Sequence, residues 1–296
     1  MFILLFFLWG VIMSKEEMEN PTPEEEQVEE PTEEVVEEPQ VEEQKKPETP
    51  ISFSLDDERR SALRNILNVM KEMDFAEVTL HYNGNINIRE MNPSRVAMII
   101  GTVDLGAGLE ATAENIRDLT VDIDTLLSAL KVAKPSIDVN DAEAIFYGSV
   151  GSSSKKAKVT IPLLENPEEP IPEPKLTGDI ETEIDLSEIQ KALNILVEEP
   201  SYITLISEVD HLRVKATNDK AQKIELNGFT SKGEGKASFS YGYIKALGKR
   251  TWKIEYKTDM PMKATKILTQ TSYGQGGIVK TPCGSITVWI APRIED

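Results

Sequence analysis

The sequence is poor in the residues that most enzymes use. Its single cysteine, Cys283, excludes a disulfide framework within the chain and any multi-cysteine zinc site. That cysteine follows a proline and has no nearby histidine, which argues against an activated nucleophile. The two histidines, His81 and His211, leave little for imidazole catalysis or metal binding. No glycine-rich phosphate loop precedes a helix, and Gly274-Gln-Gly-Gly277 lacks the Lys-Ser/Thr of a P-loop. There is no basic excess either: 51 acidic residues against 32 basic ones give a net charge of −19. Long apolar runs are missing too. Met1–Met13 is almost wholly apolar but falls short of the roughly 20 residues that cross a bilayer as a helix. No Lys or Arg precedes that run and no Ala-x-Ala site follows it, unlike a secretory signal. With Met13 and Met18 downstream, it reads as an alternative start, a membrane anchor or an atypical signal.

The acidity is unevenly placed. Residues 14–50 hold 15 Asp/Glu against 3 Lys, whereas residues 51–296 hold 36 acids and 29 bases. The first stretch repeats units such as Pro-Thr-Glu-Glu-Val-Val-Glu-Glu-Pro. Dense like charge, low hydrophobicity and recurrent proline cannot offset the entropy of ordering, so 14–50 is expected to be a disordered tail. It is either a solvated spacer or a mimic of nucleic acid that competes for a basic surface.

From Ile51 onward the pattern becomes that of a folded chain. Asp56 and Asp57 suit a helix start, and Glu58–Met73 reads as an amphipathic helix with Leu63, Ile66, Met70 and Met73 on one stripe. Strand-like runs follow at Glu77–His81, Ile86–Glu90 and Val96–Val103. Next come a strand at Leu119–Ile123, a helix at Asp124–Ala133, and strands at Glu143–Val150 and Lys156–Leu163. Asp122 and Asp124 alternate around the second helix start and read as caps. Four prolines in Asn166–Gly178 mark an extended linker. The order then begins again. A strand at Ile180–Ile184 leads into a helix at Asp185–Val197, with Leu186, Ile189, Leu193 and Val197 on one face. Strands at Tyr202–Ile206, Leu212–Ala216 and Gln222–Asn227 follow, then a short helix near Tyr241–Gly248. The last strands are Thr251–Lys257, Met262–Leu268 and Ser285–Ala291. Two α+β domains of one design are expected.

Three stretches stand out: Ile88-Arg-Glu-Met-Asn-Pro-Ser-Arg-Val-Ala-Met98, Pro172-Glu-Pro-Lys-Leu176 and Ala291-Pro-Arg-Ile-Glu-Asp296. They resemble segments of the archaeal and eukaryotic sliding clamps, the proliferating cell nuclear antigen (PCNA) family. Their order and spacing, with Asp259-Met-Pro-Met262 between the second and third, extend the resemblance over residues 50–296. It implies an α+β fold of two similar sliding-clamp domains, 51–165 and 179–296, joined by a connector at 166–178. Helices would line one face of antiparallel sheets, and the protein would form rings. Residues 1–50 have no counterpart in an ordinary clamp. Thr269–Gly284 looks like an insertion before the last strand, and Asn92 replaces the usual Asp.

A clamp encircles duplex DNA without reading its sequence, which asks for positive charge facing phosphates. The resemblance therefore implies DNA-binding roles for Arg60, Arg64 and Lys71 on the first helix, Lys131 and Lys134 on the second and Lys191 on the third. Lys245, Lys249 and Arg250 lie on or after the fourth. It also implies a groove for short partner peptides, which dock apolar anchors in a hydrophobic channel. Here that groove would be built from Met91, Val96 and Met98, then Ile171 and Leu176, then Pro261, Ala291, Pro292 and Ile294. Implied partners are a replicative DNA polymerase, a clamp loader, and nuclease and ligase. No cofactor, metal or catalytic residue is implied, and the place is the cytoplasm, at the nucleoid. The implied assembly is a homotrimer pairing Lys156–Leu163 with Gln222–Asn227 of the next copy, with a heterotrimer of sister subunits as the alternative. A rival reading from residues 1–50 is a membrane-tethered, non-DNA interaction protein that reuses the clamp fold.

Overall fold

The computed structural model describes residues 51–106, 116–150, 155–166, 171–274 and 277–293. The apolar start, the acidic tail and Ile294 lie outside the described residues. Strand–helix–three strands is the repeating order, and it occurs four times. The first unit is β1 (Ile51–Ser54), α1 (Asp57–Glu72), β2 (Glu77–Tyr82), β3 (Asn85–Met91) and β4 (Ala97–Asp104). The second is β5 (Arg117–Asp122), α2 (Ile123–Ala129), β6 (Ala133–Val139), β7 (Glu143–Ser149) and β8 (Lys156–Pro162). The third is β9 (Ile180–Asp185), α3 (Leu186–Leu193), β10 (Tyr202–Glu208), β11 (His211–Thr217) and β12 (Lys223–Lys232). The fourth is β13 (Gly235–Ser240), α4 (Tyr241–Ala246), β14 (Thr251–Tyr256), β15 (Met262–Gly274) and β16 (Gly277–Ile290).

The same device starts three of the four helices. Asp56, Asp122 and Asp185 sit at the N-cap of α1, α2 and α3 and accept from Arg59 N (2.8 Å), Thr125 N (2.7 Å) and Ser187 N (2.9 Å). Each satisfies a backbone donor that the first turn leaves open. Ser240 caps α4 without a side-chain bond. Asp124, expected as a cap, instead reaches across to Lys71.

Two helices are shorter than their patterns predict. Asp124–Ala133 is expected as a helix, yet α2 stops at Ala129. Lys134 then turns at φ 45° before Pro135, which disfavours a helical residue ahead of it. Lys131 therefore follows the helix and Lys134 belongs to β6. Similarly, α3 ends at Leu193 instead of Val197, and Val197 is 70% exposed rather than part of the apolar face. Its N–H is taken by the Gln222 side chain (3.1 Å), outside any helical ladder.

Antiparallel pairing arranges the strands as a four-stranded sheet, β1-β6-β7-β8, and a twelve-stranded one, β13-β10-β11-β12-β9-β14-β15-β16-β4-β3-β2-β5. The longer sheet joins the halves of the chain where β16 pairs with β4, from Gly284↔Val103 to Ile290↔Ala97. Gly284 is required there, because a Cβ would lie 2.2 Å from the Thr102 carbonyl oxygen. Helix α1 lies over this seam and buries Leu63, Ile66, Met70 and the adjoining Met73 to 1% exposure or less. Its close approach needs Gly101, whose absent Cβ would stand 3.0 Å from the Ile66 side chain. Thr269–Gly284, expected as an insertion, continues β15 and β16 as a two-stranded ribbon paired from Thr269↔Pro282 to Gly274↔Gly277. Among the described residues no other strand pairs with that ribbon.

Candidate functional site

The helices lie on one face of the sheets, with α1 between α2 and α4. Lys71 Nζ on α1 donates to Asp124 Oδ1 on α2 (2.5 Å), and this carboxylate holds the exposed ammonium above its ordinary range. Arg60 points the same way. Its Nη1 donates to the carbonyls of Leu130 (3.4 Å) and Val132 (3.1 Å) just past α2, and its Nη2 to Asp57 Oδ1 (2.9 Å). On the other side of α1, Arg250 Nη2 donates to Asn65 Oδ1 (2.7 Å). In α4, Lys245 Nζ pairs with Glu199 (2.5 Å), which raises its pKa.

The nine cations expected to face DNA therefore fall into two groups. Arg60, Lys71 and Lys245 are engaged by carboxylates of this chain. Arg64, Lys131, Lys134, Lys191, Lys249 and Arg250 have no ion pair among the described residues. Of these six, all but the half-buried Arg64 are exposed.

The opposite face of the sheet carries the expected groove residues. Gly101 faces α1, so Met98, three positions earlier, points away from the helices. Met91 pairs with Met98, Met98 with Trp289 and Trp289 with Lys263, making one row across β3, β4, β16 and β15. Val96 and Ala291 join at the end of this row, where Ala291 N donates to Val96 O (2.8 Å). Pro261 precedes Met262, the partner of Ile290, and Pro292 follows Ala291. Ile171 and Leu176 are half-buried in the extended connector, and Ile294 lies outside the described residues.

Trp289 was not among the expected groove residues. It is 5% exposed, its Nε1 is buried without a hydrogen-bond partner among the described residues, and the Lys263 ammonium lies 5.4 Å from its ring centroid. Asn92 fixes the loop beside the row. Its Oδ1 accepts from Val96 N and Ala97 N (3.0 Å each), and its Nδ2 donates to Met73 O (3.3 Å) and Tyr243 Oη (3.2 Å). An amide supplies both acceptor and donor at that place, which a carboxylate cannot.

Solved structures with this arrangement decide the fold. The chain superposes with a TM-score of 0.64 on a structure of the PCNA2–PCNA3 complex from Sulfolobus tokodaii, at 20% identity, covering 83% of this chain and all of that one. The proliferating cellular nuclear antigen of Entamoeba histolytica matches at 0.64 with 14% identity, over 84% of this chain and all of its own. PCNA from Thermococcus kodakaraensis does so at 0.64 with 14% identity, over 83% and 100%. The chain has the sliding-clamp fold. No protein-family model and no curated protein matches the sequence. In this clamp fold the helix face and the Met91–Trp289 row are separate surfaces on opposite sides of one sheet. Among the described residues no helix is long and apolar enough to cross a membrane, and no cluster of His, Cys, Asp or Glu could hold a metal ion.

Proposed function

We propose that this chain is a DNA sliding clamp, a processivity factor that encircles duplex DNA and tethers replicative polymerase and other replication and repair enzymes. The observation that carries the reading is the set of cations on and beside the helices that pair with no carboxylate among the described residues, in a protein of net charge −19. An acidic exterior keeps DNA off most of the surface, while unpaired cations give weak, sequence-independent phosphate contacts. The mechanism is topological: a closed ring cannot dissociate sideways, so weak contacts suffice. The protein itself is a non-enzymatic scaffold, and a separate ATP-driven loader opens it.

Ring closure is proposed to be head-to-tail, as a homotrimer. Two strand edges support it. Among the described residues strand β8 pairs only with β7, and β12 pairs with β9 only through Ser231 and Lys232, leaving Lys223–Phe229 bonded on one side. Exposed apolar residues flank them: Tyr147 opposite Lys158 beside β8, and Ile195 (77% exposed) and Val197 by the start of β12. Half-buried Met91, Val96, Ala291 and Pro292, with Met98 and Trp289 buried beside them, are proposed to seat short apolar peptide segments of polymerase, nuclease, ligase and loader. The deciding experiment is polymerase synthesis on primed circular DNA with a matched loader. Longer products are expected, and no gain at saturating clamp refutes the function. Light scattering should give three times the chain mass.

A further inference from the structure

One strand carries a lysine where its neighbours in phase are core. Met262, Ala264 and Leu268 of β15 are buried on the helix side of the sheet, and Lys266 shares their phase. Its ammonium lies 6.0 Å from the centroid of the buried Trp252 ring, whose indole N–H donates to the Leu247 carbonyl (3.2 Å). Helix α4 lasts only six residues, and past its end the chain runs through Lys249 and Arg250 into β14. There the Arg250 carbonyl accepts from Leu186 N (3.1 Å) at the start of α3, while its guanidinium reaches Asn65 in the middle of α1. Three helices thus converge on a place floored by Trp252 and edged by cations.

Lys266 has no ion pair among the described residues. Burial, then the charge of Arg250, hold its pKa below the ordinary range, and Asp185 offsets this only in part. The Asp185 carboxylate is already engaged by Ser187 N at the first turn of α3. Two mutually repelling cations, one of them half-buried, are unfavourable until an anion shares them. We infer that Lys266 and Arg250 form a seat for one backbone phosphate of duplex DNA, with one of its two cations supplied by the sheet. This deepens the clamp reading and rests on it.

The test is salt titration of binding to a linear duplex, onto whose free ends a closed ring can thread. It compares the parent, Lys266→Met, Lys266→Gln, Arg250→Gln, the double variant and Lys253→Gln, alongside thermal melting without DNA. Lys253 is exposed on β14 and pairs with Glu255, so its variant should match the parent's slope. Lys266→Met should flatten the slope of log K against log salt by about 0.9 for each phosphate no longer neutralised. It should also melt higher than the parent, because a desolvated, repelled charge is gone. Arg250→Gln should flatten the slope equally, and the double variant no further, since both cations grip one phosphate. Lys266→Gln keeps a polar end and should flatten the slope likewise, which covers a strand disturbed by methionine. A parent slope retained by both Lys266 variants, while Arg64→Glu lowers it, overturns the seat and leaves the clamp reading standing. A parent melted higher by inorganic phosphate, with a DNA slope indifferent to Lys266, also overturns it, in favour of a free-anion site. A parent without salt-dependent DNA binding overturns both readings.

Discussion

Arg60 and Arg64 stand one turn apart on α1, and their removal should have opposite consequences. Arg60 ties α1 to the end of α2 through two carbonyls and to Asp57, with its side chain one-fifth exposed. Truncating it to alanine strips a charged donor from Leu130 O and Val132 O. Hydrogen bonds to charged groups contribute about 1.5–3 kcal/mol each, reduced here by the long 3.4 Å bond and by solvent access, so Arg60→Ala should cost about 2–3 kcal/mol. For a domain of this size that is a fall in Tm of about 5–10 °C. Arg64 has no such partner among the described residues, so Arg64→Glu should change stability by less than about 0.5 kcal/mol. It should instead flatten the salt dependence of DNA binding by about 0.9 per phosphate released, repeated in each protomer. Calorimetry and salt titration on a linear duplex read the two effects separately. A thermally unchanged Arg60→Ala that loses DNA would show Arg60 facing the bore rather than bracing α2. An Arg64→Glu protein with the parent slope would refute DNA contact by α1.

Two further outcomes rest on the packing. Asn92→Ala leaves the part-buried Val96 and the buried Ala97 N–H groups without their acceptor and should cost about 2–4 kcal/mol, read by denaturant midpoint. It should also loosen the Met91–Trp289 row, seen as faster amide exchange at Val96 and Ala97. In acid, Asp122 and Asp185 are held below the ordinary carboxylate range by the Thr125 and Ser187 groups they cap. Their contribution is complete above the unfolded pKa and is lost as pH falls through the lower folded one. Asp122→Asn with Asp185→Asn should therefore flatten the stability loss below about pH 4, where acid unfolding of the parent is measured. An unchanged acid limb would contradict that account.

Much of this arrangement was legible in the residues. Strong periodicity located α1 and β2 to β4 within a residue or two, since the spacing of Leu63, Ile66 and Met70 and the alternation of β3 are set by burial itself. Strand β6 was missed because Lys131–Pro135 has no alternation and the preceding helix pattern runs into it. Strand β13 was missed because it abuts α4 with no turn residues between them. That Thr269–Gly284 would be a paired ribbon was not legible, because its Thr, Gln, Ser and Gly residues carry no apolar period although the backbone ladder continues through them. Trp289 escaped because Ile286, Val288 and Ile290 account for the core phase of β16, and a side chain on the other face gave no reason to expect burial. Lys266 did leave a signal, a charge in the apolar phase of Met262, Ala264 and Leu268.

The pairing of β16 with β4 also bears on how the protein is made. Partners such as Ile99 and Val288 lie roughly 190 positions apart, so this ladder forms only after nearly the whole chain exists. Until then the first half presents β4 as an open edge, with the backbone groups of Ala97–Val103 lacking the partner that β16 later supplies. Nascent chains are therefore exposed to edge-to-edge association during synthesis. A truncation that removes β16 would leave that edge open permanently.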